Sequence, residues 1–328
     1  MIVRMKILFF IVYLILLTSR SLYALPHDKD DYILVVHSIN FSEVWTQGIY
    51  EAINNTFARE DMLVSGEELS IPSMKDTTDV NKKVELLRKK YPVPPKVIVC
   101  IGDPAWLVCQ PLFDKEWKDV STVICHSQEL VPTQIEYLLE RDLQTIRHMV
   151  LTEDQVKGYN ATRLLQPLFI KETIETIKKL QPELNRIVFI RDNRYISLYT
   201  QEELSKTMQA DFPDLKLEVL STPALSTENL LDSLSLCGKE TGIIYYSWFI
   251  FKNTHENHYL IDNVQKMTNS FSQPPVYILA DLNIETGNFA GGHYISENDF
   301  SKSVIATIRL ILEGTEARDI LTHIGGKP

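Results

Sequence analysis

Apolar segments of strand length alternate with amphipathic segments of helical length along most of this 328-residue chain. The run YILVVHS at residues 32–38 is almost wholly apolar, which is typical of a strand buried on both faces. The segments EVWTQGIYEAINNTF at 43–57 and TTDVNKKVELLRKKY at 77–91 repeat their apolar residues at helical spacing. KVIVCIGD and DVSTVICHS then read as further strands. Such alternation predicts parallel sheets covered by helices on both faces.

The alternation is interrupted once, from about Gln128 to Thr162, and resumes until the strand-like run PVYILAD. Two alternating sets predict an α/β protein with two doubly wound parallel-sheet lobes joined by several crossover strands. We place lobe one at residues 32–140 together with 297–315. Lobe two is predicted at residues 160–282, with a crossover segment at 283–296.

The segment GNFAGGHYISENDFSKSVIATIRLILEG, residues 287–314, follows when the second set is already complete. Its glycines permit backbone angles closed to other residues, so they suit a re-routing of the chain. We predict that HYIS crosses between the lobes as a strand. Ser296 is then expected to cap a helix that Gly314 ends. Several crossings form a hinge, and hinged α/β lobes close on ligands.

The first 24 residues have the pattern of a signal peptide or N-terminal anchor. Arg4 and Lys6 precede ILFFIVYLILL, and a small residue, Ala24, stands at a plausible cleavage site. This apolar run is short for a membrane span, which needs about 20 residues. The formal net charge is −10, and no basic stripe points to nucleic acid. We therefore predict an exported protein that does not bind nucleic acid.

Three segments carry a resemblance to a known family: ILVVHSINFSEVWTQGIYEAI, KVIVCIGDPA and AGGHYISENDFSKSVIATIRLILEGTEARDI. The chain resembles periplasmic binding proteins of the type I fold over most of residues 32–320. More narrowly, it looks like ABC-transporter substrate-binding domains that also form the extracytoplasmic sensor region of bacterial histidine kinases. In that family another strand follows the last helix. We expect this chain to lack it, because it ends at ILTHIGGKP.

The resemblance implies a function in signal transduction. The chain would be the extracytoplasmic sensor domain of a membrane histidine kinase in a two-component system, closing its lobes on a small polar solute. It would then be part of an inner-membrane protein, with its catalytic region beyond residue 328, and a homodimer is left open. The alternative is a free periplasmic solute-binding protein of an ABC transporter. No cofactor is implied.

Candidate ligand-binding residues follow from the rule that ligands bind beyond the carboxyl ends of strands in open α/β sheets. The residues that follow the predicted strands combine short hydrogen-bonding groups with aromatic surfaces, as a small polar ligand requires. For each of them the alternative is a turn or capping role, and for Trp45 it is packing of a helix on the sheet. The candidates are Ser38, Asn40, Trp45, Gly102, Asp103, His126 and Ser127 from lobe one, and Asp192, Asn193, Tyr195, Ser247, Trp248 and Asp281 from lobe two.

The sequence contains no positive sign of catalysis. There is no G-x-S-x-G, G-x-G-x-x-G or Walker pattern. Cys125 and His126 are neighbours in a predicted strand, so their side chains point to opposite faces and form no nucleophile pair. We predict no catalytic residues and no enzymatic activity for this chain.

No metal site is predicted either. The segment HENH spaces His255 and His258 as metal ligands can be spaced, but no third ligand is in view, so a solvated helix start is expected. The four cysteines do not form a CxxC pair. Cys100 and Cys125 are expected to be small buried residues, with a disulfide between them as the alternative.

Overall fold

The computed structural model describes residues 31–39, 44–142, 147–222, 224–249, 261–282 and 288–326. The predicted signal segment, Asn40 and HENH lie outside these ranges. Within them the strands are β1 (Tyr32–His37), β2 (Leu63–Glu68), β3 (Val97–Ile101), β4 (Ser121–Ser127), β5 (Leu130–Pro132), β6 (Met149–Leu151), β7 (Ala161–Leu165), β8 (Arg186–Arg191), β9 (Lys216–Ser221), β10 (Thr241–Tyr245), β11 (Val276–Ile278) and β12 (His323–Ile324).

Helices follow most of these strands. Those of the described residues are α1 (Val44–Phe57), α2 (Thr77–Lys90), α3 (Asp103–Phe113), α4 (Ile135–Glu140), α5 (Thr152–Val156), α6 (Ile170–Leu180), α7 (Tyr195–Asp211), α8 (Thr227–Ser235), α9 (Ile261–Phe271) and α10 (Glu297–Leu312). The expectation of an α/β protein is confirmed. None of the helices in the described ranges is long and apolar enough to cross a lipid bilayer.

The first lobe is built on a six-stranded parallel sheet in the order β2-β1-β3-β4-β7-β12. Alternate residues of its strands enter two separate cores, because successive side chains of a strand point to opposite faces. Leu34 and Val36 pack with the α2 and α3 side, whereas Ile33 and Val35 pack with α1 and α10. All four side chains are fully buried. Burial of each one stabilises the folded state by about 1.5–3 kcal/mol.

The second lobe is built on a four-stranded parallel sheet in the order β9-β8-β10-β11. Ile174 of α6 and Leu204 of α7 cover one face of this sheet, and Leu230 of α8 and Val264 of α9 cover the other. A small antiparallel pair, β5 and β6, occupies the stretch where the alternation of the sequence is interrupted.

The chain passes from the first sheet to the second at a later residue than we predicted. We predicted lobe two from residue 160, but β7 pairs in parallel with β4 and so belongs to the six-stranded sheet. The first passage between the sheets is therefore the connection from β7 to α6. Whether the lobes behave as separate domains stays a prediction.

The second connection between the sheets contains two adjacent glycines, Gly291 and Gly292. Ile278 donates its backbone N–H to the Gly291 carbonyl at 2.9 Å, which ties the segment to β11. A side chain at Gly292 would stand 1.8 Å from the Ile278 carbonyl oxygen, so only glycine fits there. HYIS itself forms no strand, contrary to our expectation. Tyr294 still packs on the second lobe, whereas Ile295 is fully buried in the first.

Helix α10 returns to the first lobe. The Ser296 hydroxyl accepts the Asp299 N–H at 3.2 Å and caps the helix as predicted. Phe300, Val304 and Ile308 are fully buried in the core beneath α1.

The sequence-based expectation about the end of the chain is wrong. After α10 the chain does form another strand, β12, which pairs in parallel with β7. Sequence patterning missed it because a two-residue strand with exposed side chains carries no periodic signal.

Candidate ligand-binding site

A cavity of about 180 Å³ lies where the carboxyl ends of strands from both sheets meet. Ser38 follows β1, Gly102 follows β3 and His126 lies near the end of β4, while Tyr246 follows β10 and Ala280 closely follows β11. A cavity of roughly 150 Å³ is enough to hold benzene. The space therefore suits a small molecule of about one ring or one short branched chain.

The walls are more apolar than the sequence rule implied. Apolar side chains of the first lobe face those of the second across the cavity, including Ile71, Ile101 and Leu138 on one side and Ile196, Tyr245 and Leu282 on the other. Charge enters the lining through Arg141, Arg194 and Asp281.

Six of the thirteen predicted site residues line this cavity: Ser38, Gly102, His126, Tyr195, Ser247 and Asp281. Asp103, Ser127 and Asp192 lie behind the wall and are fully buried, and Asn193 is half-buried outside the lining. Trp248 packs in the core of the second lobe, with its indole N–H donated to the Thr227 hydroxyl at 3.1 Å. Asn40 and the Trp45 side chain are outside the described residues.

Ser38 and Gly102 shape the first-lobe wall. The Ser38 hydroxyl donates to the Ile101 carbonyl at 2.6 Å and accepts the Ala105 N–H at 3.0 Å, so it joins the end of β1 to the start of α3. Gly102 has φ +88°, and a side chain there would stand 2.8 Å from the Ser38 oxygen. Both residues thus fix where the backbone borders the cavity.

Behind this wall lies a buried network centred on Asp103. Its carboxylate accepts hydrogen bonds from the Arg163 guanidinium at 2.8 Å, the Ser127 hydroxyl at 2.5 Å and the Gln128 N–H at 3.1 Å. Burial raises the pKa of Asp103, and the charge of Arg163 opposes that rise. Asp103 and Ser127 therefore support the site rather than face it.

His126 is held with φ +55°, a conformation that few residues other than glycine adopt. Burial, together with the positive charge of Arg194, lowers its pKa to about 4. The imidazole is therefore neutral at pH 7.

Arg194 brings a positive charge to the second-lobe wall. Its Nε donates to the Asp192 carboxylate at 2.8 Å, and its Nη2 donates to the Ser247 hydroxyl. Ser247 in turn donates to Asp192 at 2.7 Å, and Ser197 donates to the same carboxylate at 2.7 Å. Asp192 is fully buried, whereas the Arg194 side chain keeps 18% of its surface exposed. Asp192 therefore acts by orienting Arg194.

Asp281 ties the cavity to the second passage between the lobes. Its carboxylate accepts the backbone N–H of Glu297, the first residue of α10, at 3.1 Å. Burial, and then the nearby Asp281 and Glu51 carboxylates, raise the pKa of Glu297. A ligand near Asp281 would thus lie close to the segment that joins the two lobes.

Sequence reasoning missed Arg194 and Arg141. Our candidates from DNRY were Asp192, Asn193 and Tyr195, and they left out the arginine between them. Arg141 lies just after α4, in the irregular stretch. It has φ +56°, is half-buried, and donates to the carbonyls of Pro72 and Met74 at 2.8 and 2.9 Å.

Neither a metal centre nor a disulfide is present in the described ranges. No three or more His, Cys, Asp or Glu residues there are placed to share a metal ion. All four cysteines are free thiols and buried, so Cys100 and Cys125 form no bridge.

Comparison with solved structures identifies the class of fold. A conserved domain protein from Vibrio cholerae matches with a TM-score of 0.60 and 14% identity, over 91% of this chain and 90% of that one. The ABC domain from Streptococcus pneumoniae in complex with L-Trp gives 0.57 and 16%, over 89% and 88%. A carbohydrate transporter solute-binding protein from Agrobacterium radiobacter in complex with D-arabinose gives 0.53 and 11%, over 90% and 92%.

These structures share the α/β architecture of periplasmic binding proteins, so the predicted fold is confirmed. No protein-family model matches the sequence. No curated protein matches it either. At sequence identities of 11–16%, these comparisons show a shared fold and nothing further.

Proposed function

We propose that this protein is a solute-binding protein that holds one small molecule between its two lobes. The observation that carries the proposal is the cavity itself, because strand ends from both sheets contribute to its wall. In open α/β folds this is where ligands bind. The passages at β7–α6 and at residues 288–296 would act as the hinge, so a bound solute would favour the closed arrangement.

The similar structures support this role. They include proteins in complex with L-Trp, with D-arabinose and with myo-inositol. They favour a free solute-binding protein over the sensor domain of a histidine kinase. We accordingly place the protein outside the cytoplasmic membrane as an exported binding protein. Membrane attachment, a kinase region and a homodimer remain hypotheses from the sequence.

The experiment is a thermal unfolding screen of the purified chain against amino acids, small carboxylates, pentoses and cyclitols. A ligand at 100 times its Kd adds about 2.7 kcal/mol to the folded state, so a true ligand raises Tm by several degrees. The Ala280→Trp variant, which fills the cavity, should lose that response. Ala306→Trp, on the exposed face of α10, is the matched control and should keep it.

Two results would contradict the proposal. One is that no solute of these classes raises Tm for the wild-type chain. The other is that Ala280→Trp folds and still responds, since the ligand would then bind elsewhere.

A further inference from the structure

Gln265 is a buried amide in the cavity wall. It belongs to α9, lines the cavity and is only 8% exposed. No other residue in the described ranges forms a hydrogen bond with its side chain. A carboxamide has two N–H donors and an oxygen that accepts two hydrogen bonds. A buried polar group without a partner costs about 1–3 kcal/mol, so a molecule in the cavity that bonds this amide removes that cost.

Several hydroxyl groups of the wall, by contrast, are already bonded within the protein. The Ser38 hydroxyl donates to a backbone carbonyl at 2.6 Å, and the Tyr195 and Ser247 hydroxyls donate to buried carboxylates at 3.3 and 2.7 Å. Each of them can still accept a bond from a ligand, but its proton is in use. Gln265 therefore differs from them, because it presents both of its donors and its acceptor to the cavity.

The charges of the wall are compensated within the protein. The Arg194 guanidinium is paired with the buried Asp192 carboxylate at 2.8 Å and stacks over the Phe249 ring, 5.7 Å from its centre. Arg141 and Asp281 bring one further positive and one further negative charge to the lining. These two cations and two anions sum to zero. A ligand with a net charge would lose its hydration here without meeting an unbalanced opposite charge.

Burial keeps two other polar groups of the wall uncharged at pH 7. It raises the pKa of Tyr246 to about 12, and burial together with the charge of Arg194 lowers the pKa of His126 to about 4. Both residues line the cavity, as Gln265 does. The phenol, the imidazole and the amide are neutral hydrogen-bonding groups, which suit neutral hydrogen-bonding groups on a ligand.

We infer that the cavity binds a small uncharged polar molecule, and that Gln265 is the residue that determines this specificity. The inference rests on the proposed function and names the ligand class of that same cavity. The polar group of the ligand donates to the amide oxygen of Gln265 and accepts from its amide N–H. Hydroxyl groups and carboxamide groups both have this chemistry, and the experiment distinguishes them.

The test is calorimetric titration of the full chain with neutral solutes and their charged counterparts. 2-Phenylethanol and phenylacetamide are compared with phenylacetate and 2-phenylethylammonium, and D-arabinose is compared with D-arabinonate. We expect at least one neutral solute to bind about tenfold or more tightly than its charged counterparts, because burial of an uncompensated charge is costly. If phenylacetamide binds more tightly than 2-phenylethanol and D-arabinose, the ligand carries a carboxamide. The reverse order assigns hydroxyl groups.

Two variants test the role of Gln265. Gln265→Leu keeps the volume but removes the donors and the acceptor, so binding of the neutral solute should weaken about fivefold. Gln265→Glu keeps the shape and adds a negative charge. It should bind 2-phenylethylammonium about tenfold or more tightly than the wild type does, which a merely structural role of Gln265 would not produce.

Asn263→Asp is the matched control, because it adds the same charge at an exposed position of α9. It should leave every affinity within about twofold of the wild type. The titrations of the wild-type chain remain decisive for the ligand class if a Gln265 variant does not fold.

Failure of this inference and failure of the proposed function give different results. If a charged solute binds as tightly as its neutral counterpart or more tightly, and Ala280→Trp abolishes that binding, the solute-binding role holds and the specificity is wrong. If both Gln265 variants bind every solute as the wild type does, Gln265 does not determine the specificity. If none of these solutes or those of the thermal screen binds, both proposals fail together.

Discussion

The phenolic hydroxyl of Tyr195 donates a 3.3 Å hydrogen bond to the carboxylate of Asp103. Tyr195 begins α7 in the second lobe, whereas Asp103 begins α3 in the first, so the bond joins the two lobes beside the cavity. Asp103 is fully buried and Tyr195 is 6% exposed. This hydrogen bond therefore helps to hold the two lobes in the arrangement seen in the structure.

Replacing Tyr195 by phenylalanine should lower the unfolding free energy by about 1 kcal/mol, because one hydrogen bond to a buried carboxylate is lost. Urea titration followed by tryptophan fluorescence measures the change. Tyr199→Phe is the control. Tyr199 is just as buried in the same helix but has no hydrogen-bond partner among the described residues. Equal losses in the two variants would show that the Tyr195–Asp103 bond contributes nothing.

Breaking the buried ion pair of Arg163 and Asp103 should lower the unfolding free energy more than the loss of the Tyr195 hydroxyl does. Both side chains are 0% exposed, and Asp103→Ala would leave the guanidinium buried without its counter-charge. We expect a loss of about 3–5 kcal/mol in unfolding free energy. For comparison, Glu60→Gln breaks an exposed pair with Arg309 and should cost under about 1 kcal/mol. A loss under 1 kcal/mol for Asp103→Ala as well would contradict the role we assign to the buried pair.

The buried histidine of β1 predicts a pH dependence of stability. His37 is fully buried, and this burial lowers its pKa to about 4, below the unfolded value of 6.5. The unfolded chain therefore binds a proton first as the pH falls, so stability is complete above pH 6.5 and is lost towards pH 4.

Between pH 7 and pH 5, His37 should cost roughly 2 kcal/mol of stability. Chemical unfolding at both pH values measures this. His37→Gln should reduce the difference by about that amount, whereas His323→Gln, at an exposed position, should leave it unchanged. A pH dependence identical in His37→Gln and in the wild type would contradict the assignment.

The close packing of Gly292 predicts that stability falls when this glycine is replaced by a larger residue. Gly292→Ala would push a methyl group against the backbone oxygen of Ile278, and we expect destabilisation of about 1–3 kcal/mol from overpacking. Gly238→Ala is the control, because its new methyl group would meet only the flexible end of Glu240 and should cost less than about 0.5 kcal/mol. Thermal unfolding of both variants checks the difference, and equal Tm values would mean that the crossing segment can shift away.

The sequence by itself determined the fold class and the return of the last helix. Runs such as YILVVHS are almost wholly apolar, as is typical of strands in a parallel sheet that has a helix layer on each face. The pattern around Ser296 carries its own local signals, a cap and a helical period, so α10 was predictable from neighbouring residues. The rule about strand ends also brought Ser38, Gly102, His126, Tyr195, Ser247 and Asp281 to one cavity, because strand ends are set by local patterning.

Only the tertiary structure decided which lobe a short strand joins and which polar groups face the cavity. β7 and β12 pair across more than 150 residues of chain, and no local pattern encodes such a partner. Asp192 follows its strand as Ser247 does, yet it is buried, while Arg194, two residues further on, reaches the wall. That difference depends on the hydrogen bonds and packing of segments distant in sequence, which the order of amino acids specifies only through the folded chain.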